Sequence, residues 1–260
     1  MINIVGQTNL IKELNSYSTS TLPHSILLLG SFGSGKHTIA KYISQRFEIS
    51  LADITNLIGD DNFIDSIYDN NVPYMYLMDL DKIVEKNQNR LLKIVEEPPL
   101  NCYLVLLSSD KNLVIETLLN RCRIFQLESY SLDELKTFTN YPIEKDVFET
   151  PGQILNFNFN TLDATLTLVD EFLKLLKGKY FSDLLLTSER FNYKEEYDKI
   201  NLDIFLNILL KTLREKYKEN KDINYYNYYL VLDDLKKAFN DKRYNRQTLF
   251  ENYLVKLWRQ

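Results

Sequence analysis

The segment ILLLGSFGSGKHT, residues 26–38, decides the fold. Its apolar run suits one buried strand and breaks at Gly30 into a glycine-rich turn, after which GKHTIAKYISQRF takes up helical spacing. Gly30, Gly33, Gly35 and Lys36 satisfy G-x-x-x-x-G-K between a strand and a helix, the context in which that pattern cradles phosphate. Glycines let the backbone curl so that successive N–H groups point at phosphate oxygens, and the helix N-terminus adds partial positive charge. Lys36 then reaches the outer phosphates. His37 departs from the pattern: a serine or threonine hydroxyl there helps hold magnesium, whereas an imidazole is larger and prefers softer metals. Thr38 points about 100° away around the helix and substitutes poorly. The plainer alternative is a strand-to-helix turn that holds no ligand.

Outward from this loop, residues 26 to about 128 alternate short apolar runs with amphipathic stretches, the pattern of parallel strands and crossover helices. PYMYLMDLD and CYLVLLSS read as further buried strands, and RIFQL closes the run as a short one. NQNRLLKIVEE reads as a helix stopped by Pro98 and Pro99, and LVIETLLN also looks helical. In YLMDLDK, Asp79 follows an apolar run and stands where such ATPases keep the carboxylate that orients magnesium. The next position, where many carry a glutamate that polarises water, is Leu80, which accepts no proton. Asp79 and Asp81 read equally as solvated carboxylates capping a strand end.

The character changes after Leu127. Ser131 and Glu134 form a capping box opening a short helix, and Pro142, Pro151 and Gly152 punctuate the stretch beyond it. TLDATLTLVDEFLKLLKG has helical spacing and ends in glycine, and every segment from Tyr180 onward reads as helix. The organisation expected is an α/β nucleotide-binding domain over 1–128, a small helical domain over 129–178 and a helical domain over 179–260.

With 31 basic against 36 acidic residues, the net charge of −5 argues against a domain that holds nucleic acid by its own field. Cys102 and Cys122 are too few for a disulfide framework or a four-cysteine zinc site and are expected reduced and buried. MINIVGQTNLIKEL lacks a basic leader before an apolar run, and no stretch nears the length of a membrane span, so a soluble, cytoplasmic protein is expected. His24 and His37 are the only histidines, too few for a histidine-rich metal site or a Ser-His-Asp arrangement elsewhere. The aromatics of YYNYYLV and KLWRQ fall at helical spacing and read as packing between helices.

DLDKIVEKNQNRLLKIVEEPP (79–99), LLSSDKNLVIETLLNRC (106–122) and LPHSILLLGSFGSGK (22–36) together resemble the AAA+ subunits of DNA sliding-clamp loaders, and the delta-prime type above all. The resemblance covers the first 130 residues well and extends more loosely to YNRQTLFENYLVKLW (244–258), similar to the last helix of the collar that joins such subunits in a ring. It implies an AAA+ P-loop domain with a parallel sheet, a helical lid and an all-helical collar. Gly30, Gly33, Ser34, Gly35, Lys36, His37 and Thr38 then resemble the Walker A loop, Asp79 the Walker B aspartate, and Ser109 the first sensor for the γ-phosphate. Arg121 in NRC corresponds to the arginine offered to ATP on a neighbouring subunit, a role suited to a permanently charged, forked donor; as a bare residue it reads as a surface arginine ending a helix. ATP with magnesium is the implied cofactor. The zinc module of cellular relatives is missing, since EISLADITNLIGDDNFIDSI contains no cysteine, and TPGQILNF (150–157) has no second-sensor arginine. The implied partners are other clamp-loader AAA+ subunits, the sliding clamp and, through the complex, primer–template DNA, with no membrane. His37, Leu80 and the absent sensor point to a hetero-oligomer subunit that does not turn over ATP itself. The competing expectations are a self-sufficient AAA+ ATPase, as clamp-loader motor or helicase loader, and a phosphoryl-transfer kinase, for which no arginine-bearing lid is visible.

Overall fold

The computed structural model describes residues 2–68, 72–144, 146–192, 199–239 and 245–260, with the side chains of 61–64 and 192 outside that description. The chain divides into two compact units, one of residues 1–134 with Thr150–Gly152, the other of 135–149 with 153–260.

The first unit runs α1 (Thr8–Ser16), β1 (Ser25–Leu29), α2 (Lys36–Phe47), β2 (Ser50–Asp53), α3 (Asp61–Tyr68), β3 (Tyr74–Asp79), α4 (Glu85–Glu96), β4 (Cys102–Ser108), α5 (Glu116–Leu119) and β5 (Arg123–Gln126). The strands form one parallel sheet in the order β2-β3-β4-β1-β5. Every residue of β1 and β4 is buried, as a parallel sheet covered on both faces requires. Alternate residues serve opposite cores. Ile26, Leu28, Val105 and Leu107 pack with Leu10 and Leu14 of α1 and Ile39 and Ile43 of α2. Leu27, Leu29, Leu104 and Leu106 pack with Leu91 and Ile94 of α4 and Ile67 of α3. This doubly covered sheet, with β4 at its centre and a phosphate-type loop after the neighbouring β1, fits the AAA+ P-loop domain expected from the sequence.

One local expectation is corrected here, one strand is new and one expectation is met. LVIETLLN is helical only over the four residues of α5, after a 3₁₀ turn at Lys111–Leu113. The sheet gains β2 from SLAD, a partly exposed edge strand without an apolar run. The capping box is present, Ser131 and Glu134 exchanging bonds between backbone N–H and side chain at 2.7 and 3.2 Å, at the start of α6 (Leu132–Lys136).

The second unit contains most of α7 (Pro151–Leu155), then α8 (Leu162–Gly178), α9 (Phe181–Leu186), β6 (Phe191–Asn192), β7 (Ile200–Asn201), α10 (Leu202–Asn220), α11 (Ile223–Ala238) and α12 (Arg246–Trp258). It is not wholly helical after Tyr180, because β6 and β7 pair in parallel over two residues. Gly178 is the last helical residue of α8; the left-handed turn that stops the helix falls on Lys179, at φ 54°. Phe191 meets Phe205 and Phe250 at 4.7 and 5.2 Å between ring centroids, and Phe205 meets Phe172 at 5.4 Å, which ties α8, α10 and α12 into one aromatic core. Tyr225 and Tyr228 of YYNYYLV pack inward, and Trp258 lies against Phe181. Tyr244, at the start of the collar-like stretch, lies outside the described residues. Among the described residues, no helix is long and apolar enough to cross a membrane.

Candidate functional site at the carboxyl edge of the sheet

Adjacent parallel strands deliver their C-terminal ends to the same sheet edge, where ligands of such sheets bind. The register aligns Leu29 of β1 with Ser108 of β4, and Leu107 of β4 with Asp79 of β3. The loop after β1, Asp79 and Ser109 are therefore neighbours, with Gly30 N–H donating to the Ser108 carbonyl at 3.1 Å.

Gly33 and Gly35 sit at φ 76° and 92°, a left-handed conformation that side chains other than glycine rarely adopt, so the loop curls where the sequence supplies glycine. Lys36 opens α2 and is buried; its ammonium donates to the carbonyls of Gly30 and, at 3.1 Å, Ser31, drawing the loop around itself. The Tyr130 hydroxyl donates to the Ser34 carbonyl at 2.8 Å, fastening the outer side of the turn. Residues 150–152 lie on the loop: Gly152 N–H donates to the Gly33 carbonyl at 2.9 Å, and Thr150 Oγ donates to the Phe32 carbonyl at 3.2 Å. A Cβ on Gly152 would lie 2.4 Å from Gly33 Cα, so the two backbones meet closer than any side chain allows. The sequence showed Pro151 and Gly152 only as punctuation; their packing on the loop had no signal there.

His37 and Thr38 are exposed on the first turn of α2. Partial desolvation lowers the His37 pKa below the usual imidazole value, against the opposing pull of the Asp79 and Asp53 carboxylates. The Asp53 carboxyl is pushed up by desolvation but held below the usual range overall, because the Thr55 hydroxyl and N–H both donate to it, at 2.6 and 3.0 Å. Thr55 Oγ also accepts the Asp79 N–H at 2.9 Å, tying the ends of β2 and β3 together. Asp53, Thr55 and Tyr130 are site neighbours that sequence reasoning missed.

Asp79 and Asp81 differ in duty. Asp81 takes the strand-end capping role, accepting from Ser109 N–H at 3.0 Å and Ser108 Oγ at 2.8 Å. Asp79 caps the 3₁₀ turn Leu80–Lys82, accepting from Asp81 N–H at 3.2 Å, and its other oxygen lies 3.1 Å from Lys82 Nζ. Leu80 is 1% exposed and packs in the core beneath the sheet, so this position faces away from the loop.

Arg121 does not join these residues. It sits just before β5, whose first residues pair with the start of β1, so one strand length of sheet separates it from its own phosphate loop. There its guanidinium bonds Glu96 at 2.8 Å and the Thr117 carbonyl at 3.1 Å, with 41% of the side chain exposed.

A magnesium ion asks for near-octahedral oxygen ligands, with water supplying what the protein does not. Position 37 offers imidazole instead of hydroxyl, Asp79 is paired with Lys82, and both Asp81 oxygens are engaged by Ser109 N–H. The donor set therefore does not fit the ion. The loop's curled backbone and Lys36 do suit phosphate.

Residues 46–131, a third of the chain, match the family described as DNA polymerase III, delta subunit. A DNA polymerase III subunit gamma of Buchnera aphidicola (subsp. Acyrthosiphon pisum) is 26% identical over 182 residues, 57% of this chain and 50% of that protein. That of Buchnera aphidicola (subsp. Baizongia pistaciae) is 23% identical, covering 86% of this chain and 71% of that protein. The chain thus spans about half the length of the first of these relatives. Among solved structures, the Thermotoga maritima RuvB Holliday junction branch migration motor aligns at 20% identity with a TM-score of 0.47, covering 82% of this chain and 78% of that one. With a sheet order and loop that fit an AAA+ P-loop domain, the chain is similar in sequence to subunits of DNA polymerase III.

Proposed function

We propose that the chain is a clamp-loader subunit in DNA replication, of delta-prime type, which assists ATP-dependent loading of the sliding clamp onto primed DNA without hydrolysing ATP itself. Residues 129–178 serve as lid and 179–260 as collar within a hetero-oligomeric ring of AAA+ subunits. The observation that carries this reading is the position of Arg121. A half-exposed guanidinium one strand length from its own loop serves a phosphate on another chain, if it serves any. Similarity to DNA polymerase III subunits supports the setting. Leu80, a buried leucine directly after Asp79 in place of a glutamate, supports the lack of turnover in cis.

The test is steady-state ATP hydrolysis. The isolated chain is expected to show none above background, and Arg121→Ala is expected to keep its fold yet slow the assembled complex, by up to about 10³-fold at the one site served. Unchanged turnover in the complex would remove the finger role. The intact loop with buried Lys36 favours a second reading, a self-sufficient AAA+ ATPase; turnover by the isolated chain that Lys36→Ala abolishes would select it.

A further inference from the structure

The aspartate that a divalent cation would meet already faces a cation of this chain. Asp79 caps a 3₁₀ turn and Lys82 ends it. With three residues per turn, positions i and i+3 eclipse, so the backbone itself brings Lys82 over the Asp79 carboxylate, where Nζ lies 3.1 Å from Oδ2. Only 13% of the Asp79 side chain remains exposed, and its other oxygen is taken by Asp81 N–H. Among the described residues, the carboxylates nearest Asp79 are already engaged. Asp81 is spent on the end of β4, and Asp53 on Thr55. Among the described residues, no three His, Cys, Asp or Glu side chains gather as a ligand set.

We propose that Lys82 takes the place of the divalent cation at Asp79, so that this site accepts a phosphate-bearing ligand as the metal-free anion, between Lys36 and Lys82. The inference rests on reading the Gly30–Lys36 loop as a phosphate cradle. An ammonium supplies one positive charge and up to three N–H donors, which suits a phosphate edge and the Asp79 carboxylate together. Unlike magnesium, it imposes no octahedral ligand field and needs no hydroxyl at position 37. The pair is solvent-accessible and weak in itself. Its consequence is positional: an entering Mg²⁺ must displace Lys82 and then finds imidazole where it needs oxygen.

Two measurements on the full chain test the proposal. The first titrates Mn²⁺ alone, followed by electron paramagnetic resonance. Wild type is expected to take up none, the double variant Lys82→Ala/His37→Ser to bind it, and addition of Asp79→Asn to abolish that binding. Both altered side chains are exposed, and equal thermal midpoints verify that the fold is kept. Asp79-dependent Mn²⁺ uptake by wild type, or none by the double variant, overturns the proposal. The second titrates ATP calorimetrically in excess EDTA. Wild type is expected to bind and Lys82→Ala to bind about tenfold more weakly, the loss of one charge-assisted contact. Absence of binding in EDTA, or equal affinities, overturns it as well. Neither measurement involves Arg121 or an assembled ring, so failure here leaves the clamp-loader reading to stand or fall on the complex's turnover.

Discussion

Leu80→Glu puts back the residue type that hydrolysing relatives of this loop architecture carry after the strand-end aspartate, and it is expected to damage the fold instead of creating an ATPase. Leu80 is 1% exposed, in the same core as Met78, Ile83, Leu91 and Leu106. Removing the buried leucine forfeits about 2 kcal/mol of burial. An apolar pocket keeps a glutamic acid protonated with a pKa near 8–9, whereas the unfolded chain ionises it at about 4.3. Holding it neutral at pH 7 therefore costs about 1.36 × (7 − 4.3), or ~3.7 kcal/mol. The sum, about 6 kcal/mol, is comparable with the whole stability of many domains. The sign is set by the raised folded pKa: the native state binds the extra proton, so stability falls as pH rises between the two values. At pH 5 the ionisation part shrinks to about 1 kcal/mol, and the variant regains ~2.7 kcal/mol relative to wild type. Urea unfolding followed by far-UV circular dichroism at pH 7 and pH 5 measures both quantities. A variant with the wild-type midpoint at both values, and with ATP turnover besides, would refute the reasoning, because its glutamate would have to face the loop and not the core.

Gly152→Ala is expected to destabilise the first unit by about 1–3 kcal/mol in urea, because the atoms a Cβ meets are the backbone of Gly33, 2.4 Å away at Cα, with no flexible side chain to give way. Thr55→Val removes the donor that holds down the Asp53 pKa and the acceptor for Asp79 N–H, and so lowers the thermal midpoint at pH 7. A depressed folded pKa stabilises above the unfolded value and loses that effect as pH falls through the folded one, so the Asp53 share of the deficit should begin to shrink below about pH 4 and vanish only once the pH lies below the folded value. Burial pushes the Cys102 and Cys122 thiols up to about 12. At pH 8 native alkylation by iodoacetamide should then be about 10³-fold slower than in urea; rapid labelling of Cys102 would contradict its burial, whereas Cys122, expected buried, is only half-buried.

How much of each segment is legible in the sequence depends on how many neighbours that segment needs. SILLL, YMYLMD and CYLVLLS each hold an unbroken apolar run because strands inside a parallel sheet are covered on both faces, and that condition is local enough to read directly. SLAD, at the edge, is buried only in part and carries polar residues at both ends, so nothing marks it as a strand until Tyr74–Leu77 pairs with it. The two-residue β6 and β7 are below any period a sequence can display. In the site, Gly33 and Gly35 were legible because a left-handed turn before a helix restricts residue type sharply, and Gly30 and Lys36 because they stand at fixed spacing from them. Thr55, Tyr130 and Gly152 act through hydrogen bonds to residues distant in sequence, at spans of 24, 96 and 119, and carry no local signature.

The two halves of the chemistry are separable for a reason built into the sheet. Parallel strands send every C-terminal end, with the phosphate loop, Asp79 and Ser109, to one edge, while a residue that precedes a strand, as Arg121 precedes β5, is carried to the other. Changes at the first edge leave the second untouched. On the proposed reading His37, Leu80 and Lys82 each remove a part of metal-assisted chemistry, His37 and Lys82 from exposed positions and Leu80 from the core beneath the sheet. None of them lies in the Arg121–Glu96 ion pair at the end of α4, or in the β1–β5 pairing that carries Arg121. On the proposed reading, a chain of this fold loses catalysis in cis by a few substitutions and still offers a guanidinium in trans, whereas losing the sheet would abolish both.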